Sequence, residues 1–528
     1  MLRYFAISEL LIMCCFFSCS TQEPEKVERD TTITKVNAYS DLFLDSIQVE
    51  LFIQAHEDKS KWRKDFFNFY LPRNYSYAWF SNDGMEEQAI NLMNLVNNAM
   101  ALYDDSSLFD NKSFALFDTY KNKAKHNKAE VAETELLLTA KFFEYSKKMF
   151  KGTDSDIAKI GWFIPRKKLD YNQLLASILP GKNNEMSLSG NNISYTMLQD
   201  FLPKYALLSK VYFEQIPLPN KAYHKGDSSV VIKKIKDRLY AFGDLKINDS
   251  SGVFDTALYE AVLQFEHRMG LKEDGVIGTT FIKELNVTIS ERVQQILVNL
   301  ERMRWMPAQD DSNHIFVNIP DYKMYVYDSS KLRFSMNVIV GKTATSTTIF
   351  SGNLKYVVFS PYWNVPYSIV KNEIAPGMKR SGSYLSRHNM EVIGKGKDGL
   401  PVIRQNPGGS NSLGRVKFLF PNSYDIYFHD TPNKGLFGST NRNFSHGCIR
   451  LSEPKKLAQY LLRNDTAWNE EKIDSAMHLS KEKSITLKKQ VPVTLAYFTA
   501  WVDEKGLLNF RRDIYKHDSV LAARLFVK

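Results

Sequence analysis

Cysteine is scarce in this sequence. Of the four cysteines in 528 residues, three lie within the first nineteen positions, so Cys448 is the only cysteine in the rest of the chain. A disulfide within that remainder is therefore excluded, because a disulfide needs two cysteines. CxxC and HExxH spacings are also absent, which disfavours a conventional zinc site. Cys448 is left as a packed side chain, an isolated metal ligand or a reactive thiol.

Long apolar runs and basic blocks are missing as well. No segment reaches the roughly 18 apolar residues that a membrane-spanning helix needs. Lys and Arg number 69 against 59 Asp and Glu, and the net charge of +10 is spread along the chain. Nucleic acid is therefore not an implied partner, whereas a polyanionic matrix or a membrane surface is compatible. With 44% hydrophobic residues, we expect about three or four folded domains.

The first nineteen residues, MLRYFAISELLIMCCFFSC, combine an early Arg3 with a short apolar segment that ends at Cys19. This pattern predicts an export signal. Its Phe-Ser-Cys end resembles the lipobox of bacterial lipoproteins, which implies acylation of Cys19 and a lipid anchor in the cell envelope or periplasm. An ordinary cleaved signal is the alternative. Residues 20–39 are polar and predict a tether.

The rest of the chain predicts a multidomain α+β protein. Residues 40–222 carry apolar positions at helical spacing and predict a helical scaffold domain. Residues 223–290 predict a small three-helix domain in which Asp255 caps the second helix, and residues 291–312 predict a linker helix. Residues 313–480 predict a mainly β domain, and residues 481–528 a C-terminal extension that packs on the catalytic or scaffold region.

Within the β domain, alternation in SYDIYFHDTP predicts a strand that ends at His429, and Ser452 is predicted to cap the helix that follows. Residues 368–406 have weak periodicity. They predict either a lid-like insertion over a cleft or an ordinary surface insertion.

The segment FSHGCIRLSEP places Cys448 two residues from both His446 and Arg450. A thiol nucleophile needs a base or a positive field, and His429 is a further candidate base nineteen residues earlier. Gly447 allows close substrate approach, and the backbone N–H groups around it can form an oxyanion pocket. His429, His446 and Cys448 could instead bind zinc, but no fourth ligand presents itself, so we predict no metal and no other cofactor.

Several motifs resemble known families. The order HDTP, then sixteen residues from His429 to Ser445, then SHGCIR resembles the signature of YkuD-type L,D-transpeptidases. LVNLERMRWMP, FVNIPDYKMYVYD, PYWNVPYSIVKNEI and GGSNSLGRVKFLFPN extend the resemblance to the large YcbB-like subgroup. GVFDTALYEAVLQFEHRMGL and DGVIGTTFIKEL resemble a peptidoglycan-binding domain. That subgroup joins a scaffold, a peptidoglycan-binding and a catalytic domain in this order.

The resemblance implies an acyltransferase that forms 3→3 crosslinks between peptidoglycan stem peptides through a thioester. It assigns Cys448 as the nucleophile and His429 as the proton carrier, with support from Ser445, His446 and Gly447. The substrate-binding candidates are Arg450, Tyr427, Asn411 and Trp363. A hydrolase that trims stem peptides and an inactive, lipid-tethered wall-binding scaffold are the alternatives.

Overall fold

The computed structural model describes residues 28–35, 38, 40–103, 106–121, 128–151, 162–164, 193–306, 313–329, 331–396 and 398–525. The predicted signal with Cys19, most of the predicted tether and the end of the predicted linker helix lie outside these residues. The described residues form two compact units. The first contains those up to 96 and 108–144, and the second contains those of 97–107, 145–170 and 183–525.

The first unit consists mainly of helices and contains one small β-hairpin among its described residues. Its buried Glu135 carboxylate accepts hydrogen bonds from the backbone N–H groups of Ala78 (2.6 Å) and Trp79 (2.9 Å) and from the Tyr70 hydroxyl (2.9 Å). Burial raises the pKa of Glu135 to about 7. Such a buried carboxyl is tolerated because its oxygens have partners. The elements that begin in this unit are helices Ser46–Ala55, Arg63–Tyr70, Glu87–Tyr103, Asn111–Lys121 and Lys128–Ser146, and strands β1 (Phe80–Ser81) and β2 (Gly84–Met85).

The second unit opens with helices. Asp255 caps the helix that starts at Thr256, as predicted, because its carboxylate accepts the Leu258 N–H at 2.8 Å. No helix in the described part of the chain has the length and apolar character needed to cross a membrane. The helices that precede the sheet are Ile193–Gln199, Leu202–Leu208, Val230–Phe242, Thr256–Met269, Thr279–Leu285 and Ile289–Trp305.

A mixed sheet follows. Its strands are β3 (His314–Asn318), β4 (Lys323–Asp328), β5 (Lys331–Gly341), β6 (Phe350–Phe359), β10 (Val416–Leu419), β11 (Phe428–His429), β12 (Asn443–Ser445), β13 (Ile449–Leu451) and β14 (Lys483–Ala496). Among the described residues these nine strands are ordered β12-β5-β13-β11-β10-β6-β14-β3-β4, and β4 also pairs with β5, so the sheet curls back on itself. The curled sheet encloses an apolar core that includes Val338, Phe418, Phe428 and Ile449.

Three more strands lie in the insertion between β6 and β10. β7 (Trp363–Asn364), β8 (Met390–Lys395) and β9 (Pro401–Gln405) form a separate sheet in the order β7-β9-β8. This insertion has its own small core of Val365, Val370, Ile374 and Ile403. The remaining elements of the unit are helices Tyr367–Ile369, Ala375–Arg380, Tyr384–Arg387, Pro454–Leu462, Glu470–Ala476 and His517–Leu525, and strands β15 (Ala500–Val502) and β16 (Leu508–Phe510).

Two local predictions differ from the structure. The strand that ends at His429 is short, because Asp425 adopts a left-handed conformation (φ 53°) that interrupts extended backbone before it. Ser452 does not cap the next helix. Its N–H continues the strand pairing by donating to Asn337 O at 3.0 Å, and the helix starts at Pro454 without a side-chain cap. The predicted α+β class itself, with a helical N-terminal region, a small helical domain and a β-rich domain, is confirmed.

Buried polar contacts join the three-helix domain to the β-rich domain within the second unit. Arg268 forms an ion pair with Asp244 and donates to Leu508 O at 2.6 Å, and both charged side chains are almost fully buried. Arg511 returns a hydrogen bond to Arg268 O at 2.8 Å. A buried pair of this kind is costly to break, because the remaining charge stays uncompensated.

We therefore expect Arg268→Ala to lower the free energy of unfolding by about 3–5 kcal/mol, measured as a lower midpoint in urea. Lys272→Ala is the matched control, because it breaks a solvent-exposed pair with Asp274 in the same domain and should change stability little. Equal midpoints for the two variants would show that the buried pair does not stabilise this unit.

Candidate active site

The candidate site is built on two adjacent short strands. β11 and β13 run parallel, with Phe428 opposite Ile449 and His429 opposite Arg450. Phe428 and Ile449 are fully buried in the core. Because side chains alternate across a strand, His429 and Arg450 both project from the opposite face. The pairing therefore brings His429 beside the strand that follows directly after Cys448.

A tight turn presents Cys448. Gly447 adopts φ 117°, in the region that favours glycine, although a Cβ there would meet nothing closer than Thr345 O at 3.9 Å. The Ser445 hydroxyl accepts the Gly447 N–H at 3.1 Å and donates to Cys448 O at 2.6 Å. Ser445 therefore shapes the turn, in keeping with the support role that the resemblance implies for it.

Three residues that the sequence did not single out support this turn, directly or through the neighbouring Gly341. The Thr347 hydroxyl donates to Gly447 O at 2.8 Å and accepts from the N–H of Gly341 at 2.9 Å. The Thr345 hydroxyl donates to Ser445 O at 3.2 Å, and the Tyr515 hydroxyl donates to Gly341 O at 2.5 Å. The segment TATSTT carries no motif and Tyr515 lies far along the chain, so only the folded sheet reveals these contacts.

His429 is oriented by main chain. Its Nδ1 lies 2.6 Å from the carbonyl oxygen of Asp430. A carbonyl can only accept, so Nδ1 carries the proton and Nε2 is left with a lone pair. The Asp430 carboxylate faces away, toward the backbone N–H groups of Arg415 (2.9 Å) and Thr431 (2.7 Å) and the Lys434 ammonium. Asp430 thus fixes the imidazole through its backbone and the neighbouring loop through its side chain.

The two central groups are neutral at rest. Burial, followed by the positive charge of Arg450, lowers the pKa of His429 to about 3. Burial raises the pKa of the Cys448 thiol, although hydrogen bonds from Tyr427 oppose the rise. The thiol sulfur lies 3.4 Å from Asp425 O, within range of an S–H···O hydrogen bond. The site therefore holds a protonated thiol and an unprotonated imidazole, which is able to accept a proton.

Tyr427 contacts both groups. Its ring lies 5.7 Å from that of His429, centroid to centroid, and it hydrogen-bonds to Cys448. Burial, followed by the nearby Cys448, raises the pKa of the Tyr427 hydroxyl, which therefore stays protonated. Tyr427 is thus available as a hydrogen-bond donor beside the thiol.

His446 points toward the insertion. Its Nε2 lies 3.5 Å from the carboxylate of Glu373, which is an ion-pair distance when the imidazole is protonated. Glu373 belongs to the turn of helix at Val370–Ile374, inside the insertion. The insertion therefore reaches the turn that carries Cys448.

The remaining candidates lie in the framework of the insertion. The buried Asn411 amide donates to Pro361 O (3.1 Å) and Asn406 O (2.9 Å), and its oxygen accepts the Leu413 N–H, so its polar atoms are committed to main chain. Trp363 pairs with Gln405 and packs on the insertion core. No group of three or more His, Cys, Asp or Glu side chains suited to a metal ion occurs in the described ranges.

Family models match three parts of the chain. Residues 312–473 match the L,D-transpeptidase catalytic domain of the YkuD family. The chain carries a YkuD-family catalytic domain. Residues 64–202 match a scaffold domain, and residues 228–285 match a peptidoglycan-binding domain. The predicted resemblance and its YcbB-like order of domains are thereby confirmed.

The chain is similar in sequence to a curated protein and aligns with several solved structures. A Haemophilus influenzae protein whose name assigns it provisionally as an L,D-transpeptidase is 34% identical over 250 residues, which are 45% of this chain and 49% of the relative. The chain thus matches about half the length of that relative. A solved L,D-transpeptidase from Xylanimonas cellulosilytica aligns at 13% identity and TM-score 0.18, covering 53% of this chain and all of that one. An L,D-transpeptidase from Mycobacterium smegmatis aligns at 14% identity and TM-score 0.20, covering 35% and 58%.

Gly447→Ala should slow thiol acylation and leave the rest of the domain folded. The added methyl group has space, so the effect comes from the φ of 117° that alanine disfavours, a strain of about 1–3 kcal/mol. The measurement is the rate of covalent labelling of Cys448 by a carbapenem, with circular dichroism as the check on folding. Gly438→Ala is the control, because that glycine has no positive φ and no atom within 4 Å. Equal labelling rates in both variants would contradict the assignment of the turn.

Proposed function

We propose that the chain is a peptidoglycan L,D-transpeptidase that forms 3→3 crosslinks through a Cys448 thioester. One observation carries the proposal: a neutral imidazole, fixed through Nδ1, lies on the strand beside the thiol-bearing turn of a YkuD-family domain. A neutral base next to a protonated thiol is a suitable starting state for acyl transfer.

In the first half-reaction, the Cys448 sulfur attacks the carbonyl carbon of the diamino acid at position three of a tetrapeptide stem. The thiol proton passes to Nε2 of His429 as the carbon–sulfur bond forms. When the carbon–nitrogen bond to the terminal D-amino acid breaks, His429 returns that proton to the departing amine. A thioester remains, and the imidazole is neutral again.

In the second half-reaction, the side-chain amine of another stem attacks the thioester. His429 takes a proton from that amine and returns it to the departing sulfur, so that an amide crosslink forms and the thiol is restored. Water in place of the amine would give a trimmed stem, which is the hydrolase alternative.

The negative charge on the tetrahedral oxygen needs a donor. The Gly447 N–H is already used by the Ser445 hydroxyl, whereas the Cys448 N–H has no hydrogen-bond partner among the described residues. We therefore assign the Cys448 N–H as the oxyanion donor, with Gly447 and Ser445 as the framework that aims it. One such donor contributes about 3 kcal/mol to transition-state stabilisation in comparable sites.

The flanking parts fit the same role. The peptidoglycan-binding domain at residues 228–285 would hold the enzyme on its polymeric substrate. Acylation of Cys19 would tether the enzyme in the cell envelope, where that substrate lies. The insertion, through Glu373 and His446, would act as a lid that restricts water at the thioester and favours the amine acceptor.

Cys448→Ala and His429→Gln should both abolish crosslinking. Purified tetrapeptide stems are incubated with enzyme and analysed by mass spectrometry, and in parallel the intact protein is weighed after addition of a carbapenem. We expect dimers and a carbapenem adduct with the wild type, and neither with Cys448→Ala. His478→Gln is the control, because that exposed histidine binds the carbonyl oxygen of Asp474, on the helix Glu470–Ala476. Trimmed stems without dimers would overturn transfer in favour of hydrolysis, and dimers from Cys448→Ala would overturn the nucleophile.

The rate of carbapenem adduct formation should vary by less than about threefold between about pH 5 and 8. The reason is that the pKa of His429 is lowered to about 3 and that of Cys448 is raised, so neither group changes charge in this interval. Stopped-flow labelling across buffers of constant ionic strength measures this profile. An acidic limb centred near the ordinary histidine pKa of 6.5 would contradict the neutral resting pair.

The lowered pKa of His429 also makes the stability of the folded protein depend on pH. In the unfolded chain this histidine binds a proton below pH 6.5, whereas in the folded site it does so only below about pH 3. The free energy of unfolding is therefore unaffected by His429 above pH 6.5 and decreases as the pH falls toward 3. Thermal melts at each pH therefore accompany the rate profile, so that acid unfolding is separated from a catalytic limb.

A further inference from the structure

The Arg450 side chain is half-buried and has no hydrogen-bond or ion-pair partner among the described residues, and its Nε is fully buried. Other buried arginines of this unit are committed, as Arg268 is to Asp244 and Arg511 to Asp321. A buried donor without a partner costs about 1–3 kcal/mol. An arginine side chain that has no partner and lies beside a reactive thiol is therefore a candidate binding site for an anion.

The sheet register places this cation beside the reacting groups. His429 lies between Lys417 on β10 and Arg450 on β13, each paired with it directly. Lys417 is occupied by Glu482 (3.2 Å) and by Tyr362 O (3.4 Å). Of the two cations in this row, Arg450 is the one with open donors. It also follows Cys448 by two residues, about 7 Å along an extended chain.

The guanidinium is a planar fork that binds a carboxylate through two parallel hydrogen bonds. This inference rests on the proposed function, in which the donor is a stem peptide that ends in a free carboxylate. That carboxylate is one carbon atom away from the amide nitrogen that leaves. Carboxylates elsewhere on the stem are separated from the broken bond by more of the peptide. The terminal carboxylate is therefore the anion that reaches a cation two residues from the nucleophile.

We propose that Arg450 binds the terminal carboxylate of the leaving D-amino acid and makes the enzyme specific for stems with a free C-terminus. The leaving residue is then held by its carboxylate while its amine receives the proton from His429. Stem peptides extended at the C-terminus or amidated there lose this contact and leave the guanidinium, with its buried Nε, unpaired.

The test compares two donors that differ only in their end, a tetrapeptide with a free carboxylate and the same peptide as its carboxamide. We expect the wild type to favour the carboxylate by roughly 10- to 100-fold in kcat/KM. Arg450→Met should reduce that preference to about one by slowing the carboxylate donor, whereas the carboxamide rate should not fall, because that donor has no carboxylate for Arg450 to hold. Arg450→Lys should retain part of the preference, because it keeps the charge without the fork.

Lys417→Met is the matched control, since it removes the other cation next to His429. Its preference for the carboxylate should equal that of the wild type. A preference near one in the wild-type enzyme itself overturns the proposal without any variant, as does a preference that survives in folded Arg450→Met. Failure of the proposed function looks different: the wild type would process neither donor and Cys448 would take no acyl group.

Discussion

The parallel pairing of β11 with β13 is the constraint on which the candidate site depends. It involves only two residue pairs, yet it fixes Phe428 and Ile449 in the core and directs His429 and Arg450 to the opposite face. Because the core residues are fully buried, a slip of one residue would expose them and turn His429 inward. The apolar core therefore sets the position of the candidate catalytic groups.

The electrostatics of this row follow from the same geometry. Burial, followed by the charge of Arg450, lowers the pKa of His429 and keeps it unprotonated, and burial raises the pKa of Cys448 and keeps it protonated, so the thiol is not activated in advance by a stable ion pair. Under the proposed function, a carboxylate on Arg450 neutralises the charge that disfavours the imidazolium. Arrival of the donor then makes His429 a stronger base at the moment when a proton must be accepted. Under this proposal, Arg450 couples recognition of the substrate to the base strength of His429.

Much of this arrangement could be predicted from residues that carry a motif, and the rest could not for identifiable reasons. The family resemblance singles out Cys448 and His429, and the helix cap at Asp255 follows from spacing and residue type. Thr347 and Tyr515 do not, because they act through hydroxyl groups on distant segments that meet only when the sheet closes. The predicted cap at Ser452 was wrong. A serine just before a helix usually indicates an N-cap, but here the Ser452 N–H is already bonded to Asn337 O and continues the strand. Asn411 fits a binding role by its chemistry, but its amide holds main chain together.

The insertion between β6 and β10 has an energetic consequence of its own. Val365, Val370, Ile374 and Ile403 pack on one another in a cluster separate from the core of the main sheet. A segment with its own small core can open locally at a lower free energy than global unfolding requires, while the nine-stranded sheet stays intact. We therefore expect amide hydrogen exchange in the insertion to be faster than in the nine-stranded sheet. Substitutions in the insertion can also change the free energy of this local opening without altering the strands that hold Cys448 and His429.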